Sequence, residues 1–377
     1  MRNDSVIEAV DLLPMRMPFA APFTMATPLD QKRESIDILV VRIRTASGTV
    51  GVGETQAWRR QGSSEYLPNL VRLIRELLVP RLLGRSCLDI AALMHGFEAA
   101  VYNSLYAQAA VGDALLDAAA RVLGVPLCVL LGGQSRSRIP VGFALGISDS
   151  PDRLIAKAEE VYALGYRHMR LKMGMNPDED VRNAAAMRDR FGAGIHLRAD
   201  INGSMSLPDA MRLMARLVPF DLDVLEQPVR GSDLEGMAIL AEKFPTPISA
   251  DESLSNIQSL LEICRRRAAS VVQLKIGKNG GVYNCRRLWD MADAAGVSVF
   301  PGNHPCTSVS TAAMAHLCAS RPYLTVVGDF QAGIADILAH DIARNPVAVR
   351  DGEVHLPDGP GLGIDLDEVA IERFRVD

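Results

Sequence analysis

A closed α/β barrel of parallel strands, carried beside a smaller α+β unit, is the fold class this sequence predicts, and two observations predict it. Beyond residue 131, short apolar or β-branched stretches alternate with amphipathic ones at a steady interval, and such alternation demands parallel strands joined by helical crossovers. Five of these stretches in succession also end in an ionisable residue, which puts charge at one common end of the strands. A chain of 377 residues with 48% hydrophobic content can bury a large core and still build a second, smaller domain.

The first domain, residues 1–130, reads as strands followed by helices. Residues 36–44 (IDILVVRIR) are β-branched and alternating, Ser47-Gly48 makes a turn, and residues 50–54 return, which is a hairpin signal. Gly51-Val52-Gly53-Glu54 reads as no more than the end of that hairpin strand, because the dinucleotide-binding glycine pattern does not follow. Apolar residues then recur at helical spacing over 66–83, 94–102 and 105–122, until Gly124-Val125-Pro126 stops the last helix. Leu131-Gly132-Gly133 is a turn-rich boundary.

The second domain, residues 131–335, is the barrel. Its strand candidates are 140–144, 168–172, 196–200, 224–226, 247–251, 271–275, 297–300 and 324–327. Eight strands favour closure over an open sheet. The last segment, 336–377, breaks the alternation with a glycine- and proline-rich loop at 357–363 and returns to pack on the first domain.

Composition narrows the function classes. A net charge of −5 and the absence of a Lys/Arg run with interleaved aromatics leave no basic face for a nucleic acid. No apolar run approaches the roughly 20 residues that span a bilayer, and the N-terminus lacks the pattern of a secretory signal. The six cysteines are scattered without a CxxC, so neither a zinc cluster nor a disulfide framework is signalled, and a cytoplasmic location is expected.

The charged strand ends carry the chemistry. Lys172, Asp200, Glu226, Asp251 and Lys275 lie 28, 26, 25 and 24 residues apart, the length of one βα unit. In a barrel such positions converge at the C-terminal mouth, where active sites of barrels are built. Three neighbouring carboxylates repel one another, and a hard divalent cation, Mg²⁺ or in its place Mn²⁺, cancels that repulsion while accepting oxygen ligands. Such a cation can also bind a substrate carboxylate and offset the second negative charge that forms when the adjacent proton leaves. A lysine on each side would remove or return that proton, its pKa lowered by the cation and the second ammonium. Asp251 is the expected ligand rather than its neighbour Glu252, since adjacent residues of a strand face opposite ways.

These segments resemble the enolase superfamily, in its mandelate racemase and muconate lactonizing enzyme branch. The matching stretches are Arg170-Leu171-Lys172-Met173-Gly174, Arg198-Ala199-Asp200-Ile201-Asn202, Leu225-Glu226-Gln227-Pro228, Ala250-Asp251-Glu252-Ser253, Gln273-Leu274-Lys275-Ile276-Gly277-Lys278 and Gly280-Gly281. The resemblance implies a modified TIM barrel, (β/α)₇β, with an α+β capping domain made from both chain ends. It further implies Asp200, Glu226 and Asp251 as metal ligands, Lys172 and Lys275 as the acid/base pair, and a homo-oligomer acting on a small carboxylate.

Candidate substrate contacts and supporting residues are Arg170, Asn202, Glu252, His304, Cys306 and Asp329, together with Phe19, Phe23 and Met25 from residues 18–30, an apolar loop that the resemblance suggests is a lid. His304 reads equally as a structural histidine and Cys306 as a packing residue, while Lys278 and Asn279 read as the lead into the next helix. Cys306 aligns where muconate lactonizing enzymes commonly carry a glutamate, and Asp329 is a candidate partner for a substrate ammonium. The expected reaction is therefore racemisation or epimerisation of an amino-acid-like or other small carboxylate. Elimination of water from a hydroxy or hydroxyamino acid such as a hydroxyproline ranks next, then cycloisomerisation to a lactone. A non-catalytic metal-binding barrel is the rival from another class.

Overall fold

The computed structural model describes residues 3–23, 33–57, 65–148, 150–330 and 337–376, the side chains of 21–23 and 33 excepted. Three strands open the chain: β1 (Ile7–Phe23), β2 (Arg33–Thr45) and β3 (Val50–Gln56) form an antiparallel sheet in the order β1-β2-β3. Register pairs such as Met15 with Ile38 and Val40 with Glu54 set alternate side chains on the buried face. β1 is an addition to the sequence reading. Pro14, Pro18 and a charge at Arg16 interrupt its apolar alternation, yet it runs through residue 18, where the lid loop was expected to begin.

The first-domain helices are α1 (Leu67–Leu73), continued by a wide turn into α2 (Val79–Leu82), then α3 (Ile90–Ala100), α4 (Leu105–Leu123) and α5 (Leu127–Leu130). α4 is buried along nearly its whole length because it lies between the sheet and the barrel. Gly51 and Gly53 make that approach possible: a Cβ on either would come within 2.3 Å of the backbone of α4. The Gly-Val-Gly stretch is thus a helix-docking surface as well as a strand.

β4 (Arg138–Pro140) precedes the barrel, whose strands are β5 (Phe143–Leu145), β6 (His168–Lys172), β7 (His196–Asp200), β8 (Val224–Glu226), β9 (Ile248–Ala250), β10 (Val271–Lys275) and β11 (Ser298–Gly302). All seven are parallel and stand side by side in chain order. Their crossovers are α6 (Pro151–Ala163), α7 (Pro177–Phe191), α8 (Leu207–Leu217), α9 (Leu234–Lys243), α10 (Ile257–Arg266) and α11 (Gly281–Ala294), with α12 (Ser308–Ala319) after the last strand. Every residue of β8, β9 and β10 is buried, as strands covered on both faces require.

The eighth strand differs from expectation. Residues 324–327 form no ladder; instead Gly328 bridges to Val141 and Asp329 to Gly302, so the curled sheet closes through two isolated bridges. A Cβ on Gly328 would lie 1.9 Å from the Pro301 carbonyl oxygen, which explains the glycine there.

In the tail, β12 (Val349–Arg350) and β13 (Glu353–His355) form a small sheet with β4. α13 (Glu368–Phe374) then packs on β1, and the Val376 amide donates to the Pro14 carbonyl at 2.9 Å. Among the described residues no helix is long and apolar enough to cross a membrane.

Candidate active site

The register of the parallel ladder builds the cluster. Lys172 is opposite Asp200, and Asp200 opposite Glu226, on consecutive strands. Asp251 directly follows β9, and Lys275 ends β10. All three carboxylates are buried.

Each is engaged differently. Lys172 forms an ion pair with Asp200 and donates to the Asn202 side-chain oxygen at 3.1 Å. Arg170, two residues earlier and on the same strand face, reaches Asp200 at 3.2 Å and Glu226 at 2.7 Å. On the other side Lys275 pairs with Asp251 Oδ2 at 2.6 Å, and Lys278 with Asp251 Oδ1 at 2.6 Å. Asn202, held in the left-handed region at φ 54°, folds its own side chain back onto Asp200 at 2.9 Å. Asp251, not Glu252, faces the ammonium groups, while Glu252 lies beside the Asn202 amide at 3.5 Å.

Burial raises every carboxyl pKa here, and the neighbours decide the outcome. For Asp200 the charges of Lys172 and Arg170 outweigh burial and hold it below its ordinary value. Lys275 and Lys278 outweigh burial at Asp251 by more, leaving it well below. Glu226 is pushed up to about 8, by burial first and the charge of Asp200 second. Burial favours the neutral form of Lys275, but Asp251, Glu226 and Glu252 prevail and raise its pKa; the protein's own charges thus act against the lowered pKa expected from sequence. At Lys278 burial prevails and the pKa falls.

The donor set fits a hard divalent cation. It consists of carboxylate oxygens alone, and Glu226 Oε1 is buried without a hydrogen-bond partner while its other oxygen accepts from Arg170. Among the described residues no three acidic, histidine or cysteine side chains already converge at ligating distance. The ammonium and guanidinium groups take up carboxylate oxygens instead.

The remaining candidates scatter. Asp329 does not present a free carboxylate to a substrate ammonium: it is buried, 2.7 Å from Arg170 Nε and 4.0 Å from Arg198. Cys306 packs against Thr311, with burial pushing its thiol well above the usual range, as a packing residue should. His304 stacks on Tyr106 of α4 with ring centroids 6.0 Å apart. Phe19 lies in β1 and its ring joins the hydrophobic core, so it is no part of a loop. The side chain of Phe23 and all of Met25 lie outside the described residues.

Two neighbours of the cluster are not evident from the sequence alone. Lys278 was read as a lead into the helix, yet it returns its ammonium to both the side chain and the backbone carbonyl of Asp251. Gln227 stands at φ 40° and accepts from the amides of Asp251 at 3.0 Å and Ser253 at 3.1 Å, setting the direction of the Asp251 loop. The Glu-Gln-Pro motif carried that signal without disclosing the role.

Three carboxylates flanked by lysines stand at the C-terminal mouth of a parallel barrel, and the likeness of the whole chain to known proteins makes it an enolase-superfamily enzyme, an isomerase or lyase. The family model for the mandelate racemase / muconate lactonizing enzyme N-terminal domain matches residues 8–132, and that for the enolase C-terminal domain-like fold matches 153–370. The chain belongs to the mandelate racemase/muconate lactonizing enzyme family. It is 30% identical to muconate cycloisomerase 1 of Rhodococcus opacus, across 99% of both chains, and 31% identical to a chloromuconate cycloisomerase of Pseudomonas putida, across 98% of both. A muconate lactonizing enzyme from Pseudomonas fluorescens, solved with muconolactone, superposes with a TM-score of 0.92 at 30% identity, over 99% of this chain and 100% of that one. An N-succinyl Arg/Lys racemase from Bacillus cereus superposes with the same TM-score at 26% identity, over 99% of this chain and 98% of that one.

Proposed function

We propose that this enzyme is a cycloisomerase of an unsaturated dicarboxylate resembling muconate, in preference to the racemisation that its paired lysines suggest by themselves. The observation that carries the reading is the end-to-end likeness to muconate and chloromuconate cycloisomerases, combined with a lysine on each flank of three carboxylates. Asp200, Glu226 and Asp251 would hold Mg²⁺ or Mn²⁺. When bound, the ion supplies positive charge that offsets the charge gathering on the substrate carboxylate as the adjacent carbon changes protonation.

The chain's own groups do the rest. One carboxylate of the substrate adds to the double bond conjugated with the other, a C–O bond forms, and the electron pair moves to the carbon beside the second carboxylate. Lys172 or Lys275 delivers a proton to that carbon, while the opposite lysine and Arg170 keep positive charge against the anion. By the same likeness the working form is a homo-oligomer whose substrate is a small carboxylate.

Cys306 and the likeness to the N-succinyl Arg/Lys racemase favour a second reading, in which the lysines exchange an α-proton between the two faces of an N-acylated amino acid. Incubation in D₂O with Mg²⁺ separates the readings, using muconates, chloromuconates, N-succinyl amino acids, free amino acids and hydroxy acids. A lactone carrying one solvent deuterium is the expected product. Inverted, deuterated N-acyl amino acid without lactone formation would transfer the assignment to racemisation. If no substrate gains deuterium or changes structure, both readings fail.

A further inference from the structure

Helix α11 begins directly after the segment that carries Lys275, and it begins without a cap of its own. Its N-cap is Gly280, which has no side chain to satisfy the first free amides of the helix. The partner comes from the other domain: Asp113, in the middle of α4, accepts from the Val282 amide at 2.7 Å. Asp113 is buried, and among the described residues its second oxygen has no hydrogen-bond partner, so this amide is its only such contact there. The fit leaves no slack. Gly280 and Gly281 stand at φ 81° and 86°, and a Cβ on Gly281 would sit 2.8 Å from Asp113 Oδ1 and 3.0 Å from Ala109 Cα.

Between Lys275 and the anchored Val282 run only Ile276, Gly277, Lys278, Asn279, Gly280 and Gly281. The near end of the segment is tied by Asn279, whose side-chain oxygen accepts from the Lys275 amide at 2.8 Å and whose nitrogen donates to the Ser255 carbonyl at 2.9 Å. The middle closes on itself, with Gly281 N donating to the Ile276 carbonyl at 2.8 Å. A displacement at the Asp113 end therefore travels to Lys275 and Lys278 through a short, doubly tied loop.

A second helix is also met from the first domain, on another loop, although it carries its own cap in Thr307, whose hydroxyl accepts from the Val309 amide at 3.3 Å. Glu54, at the end of β3, accepts from the Thr307 amide at 3.0 Å and the Ser310 amide at 3.2 Å, at the start of α12. That contact fixes the loop with His304 and Cys306, and it serves as an internal control because Asp113 shares no hydrogen bond with it; the nearby Glu54 charge reaches Asp113 only through space.

We propose that Asp113 is a positioning residue for Lys275, supplying from the capping domain the helix cap that Gly280 lacks and thereby setting where the ammonium meets Asp251. The proposal rests on reading Lys275 as an acid/base group. It does not concern domain cohesion in general, and the loop held by Glu54 distinguishes the two.

The test uses the full-length chain with Mg²⁺ and the variants Asp113→Ala, Asp113→Ser and Asp113→Asn. Serine replaces alanine should the latter not fold, and asparagine keeps an acceptor for Val282. Three quantities are read: amide hydrogen exchange over residues 276–284 and 305–311, the relative acylation rates of Lys275 and Lys172 by acetic anhydride, and kcat against KM on whichever substrate the wild type converts. With Asp113→Ala or Asp113→Ser, exchange over 276–284 is expected to rise at least tenfold with 305–311 unchanged. Acylation of Lys275 should change at least threefold while that of Lys172 does not, and kcat should fall about 10- to 100-fold with KM within threefold, the scale set by small misplacements of a reacting group. Asp113→Asn should restore all three. The proposal is overturned if Lys275 acylation and kcat stay at wild-type values while exchange rises, if both segments loosen together, or if asparagine fails to rescue. Absence of turnover by the wild type would count against the acid/base reading alone, because exchange and acylation still decide whether Asp113 sets the position of Lys275.

Discussion

Lys172 and Lys275 approach the same carboxylates from opposite sides, and their flanks are secured by different means. The turn after Lys172 is closed within its own βα unit: Gly174, at φ 105°, donates its amide to Asp180 of α7 at 2.9 Å, six residues ahead. The segment after Lys275 is closed by Asp113, 169 residues away in the other domain. One flank is therefore held within its own βα unit, while the other takes part of its hold from the capping domain. Of the two lysine flanks of this site, the Lys275 side is the one that touches the capping domain.

The largest effect should erase the difference. Glu226→Gln weakens the carboxylate on the strand between those of Asp200 and Asp251, and Mg²⁺-dependent turnover should fall by about 10³-fold or more, equivalent to roughly 4 kcal/mol of lost stabilisation. Calorimetric titration with Mg²⁺ should show the binding heat lost in parallel; retained binding with retained turnover would remove Glu226 from the site. Next come Lys172→Ala and Lys275→Ala, each expected to cost about 10²- to 10⁴-fold. If the proton is delivered from one face, as cycloisomerisation requires, the two variants should differ by at least tenfold in deuterium incorporation. Equal losses would favour two-face chemistry.

A smaller effect sharpens the contrast. Asp180→Ala should loosen residues 172–178 in hydrogen exchange, cost about 1 kcal/mol of stability and leave 276–284 unaltered. Loosening of both segments would show that the flanks are not independent.

The smallest effect is one of pH. Burial pushes Asp113 up to about 8, so the folded state prefers its protonated form. Wild-type stability from this group is greatest below the unfolded pKa near 4 and is lost as pH rises towards 8. Asn at this position does not titrate, so the melting temperature of Asp113→Asn relative to wild type should climb by a few degrees between pH 5 and pH 8.5 and level off above. A constant difference across that window, measured by thermal denaturation, would mean that Asp113 ionises normally.

The same contrast explains what could be read from the chain. Lys172, Asp200, Glu226, Asp251 and Lys275 were legible because a charge at each apolar strand end, repeated at the length of a βα unit, is a periodic signal. Asn202 and Arg170 followed because they sit two positions from a marked residue on the same strand face or its exit. Lys278 was misplaced because its role depends on a turn that sends the side chain backwards onto Asp251, and spacing does not encode that reversal. The contacts of Asp113 and Glu54 were invisible: each residue lies in a run that identifies its helix or strand, and its partner is far off in sequence. β1 escaped notice because its prolines break the alternation, whereas pairing with β2 restores it in space. The eighth strand was placed too early because residues 324–327 look extended, but only Gly328 can fit beneath the Pro301 carbonyl.

The closure of the barrel has a consequence for how such a site can diversify. Among the described residues the curled sheet meets itself through two bridges, at Gly328 and Asp329, and Asp329 is fastened by the Arg170 guanidinium that also serves Glu226 and Asp200. One side chain is at once a rivet in the wall and a counter-charge for the clustered carboxylates. Mutational routes to a new substrate that pass through Arg170 must alter the vessel along with its contents, which leaves the loops above the strands as the part of the molecule where specificity can drift freely.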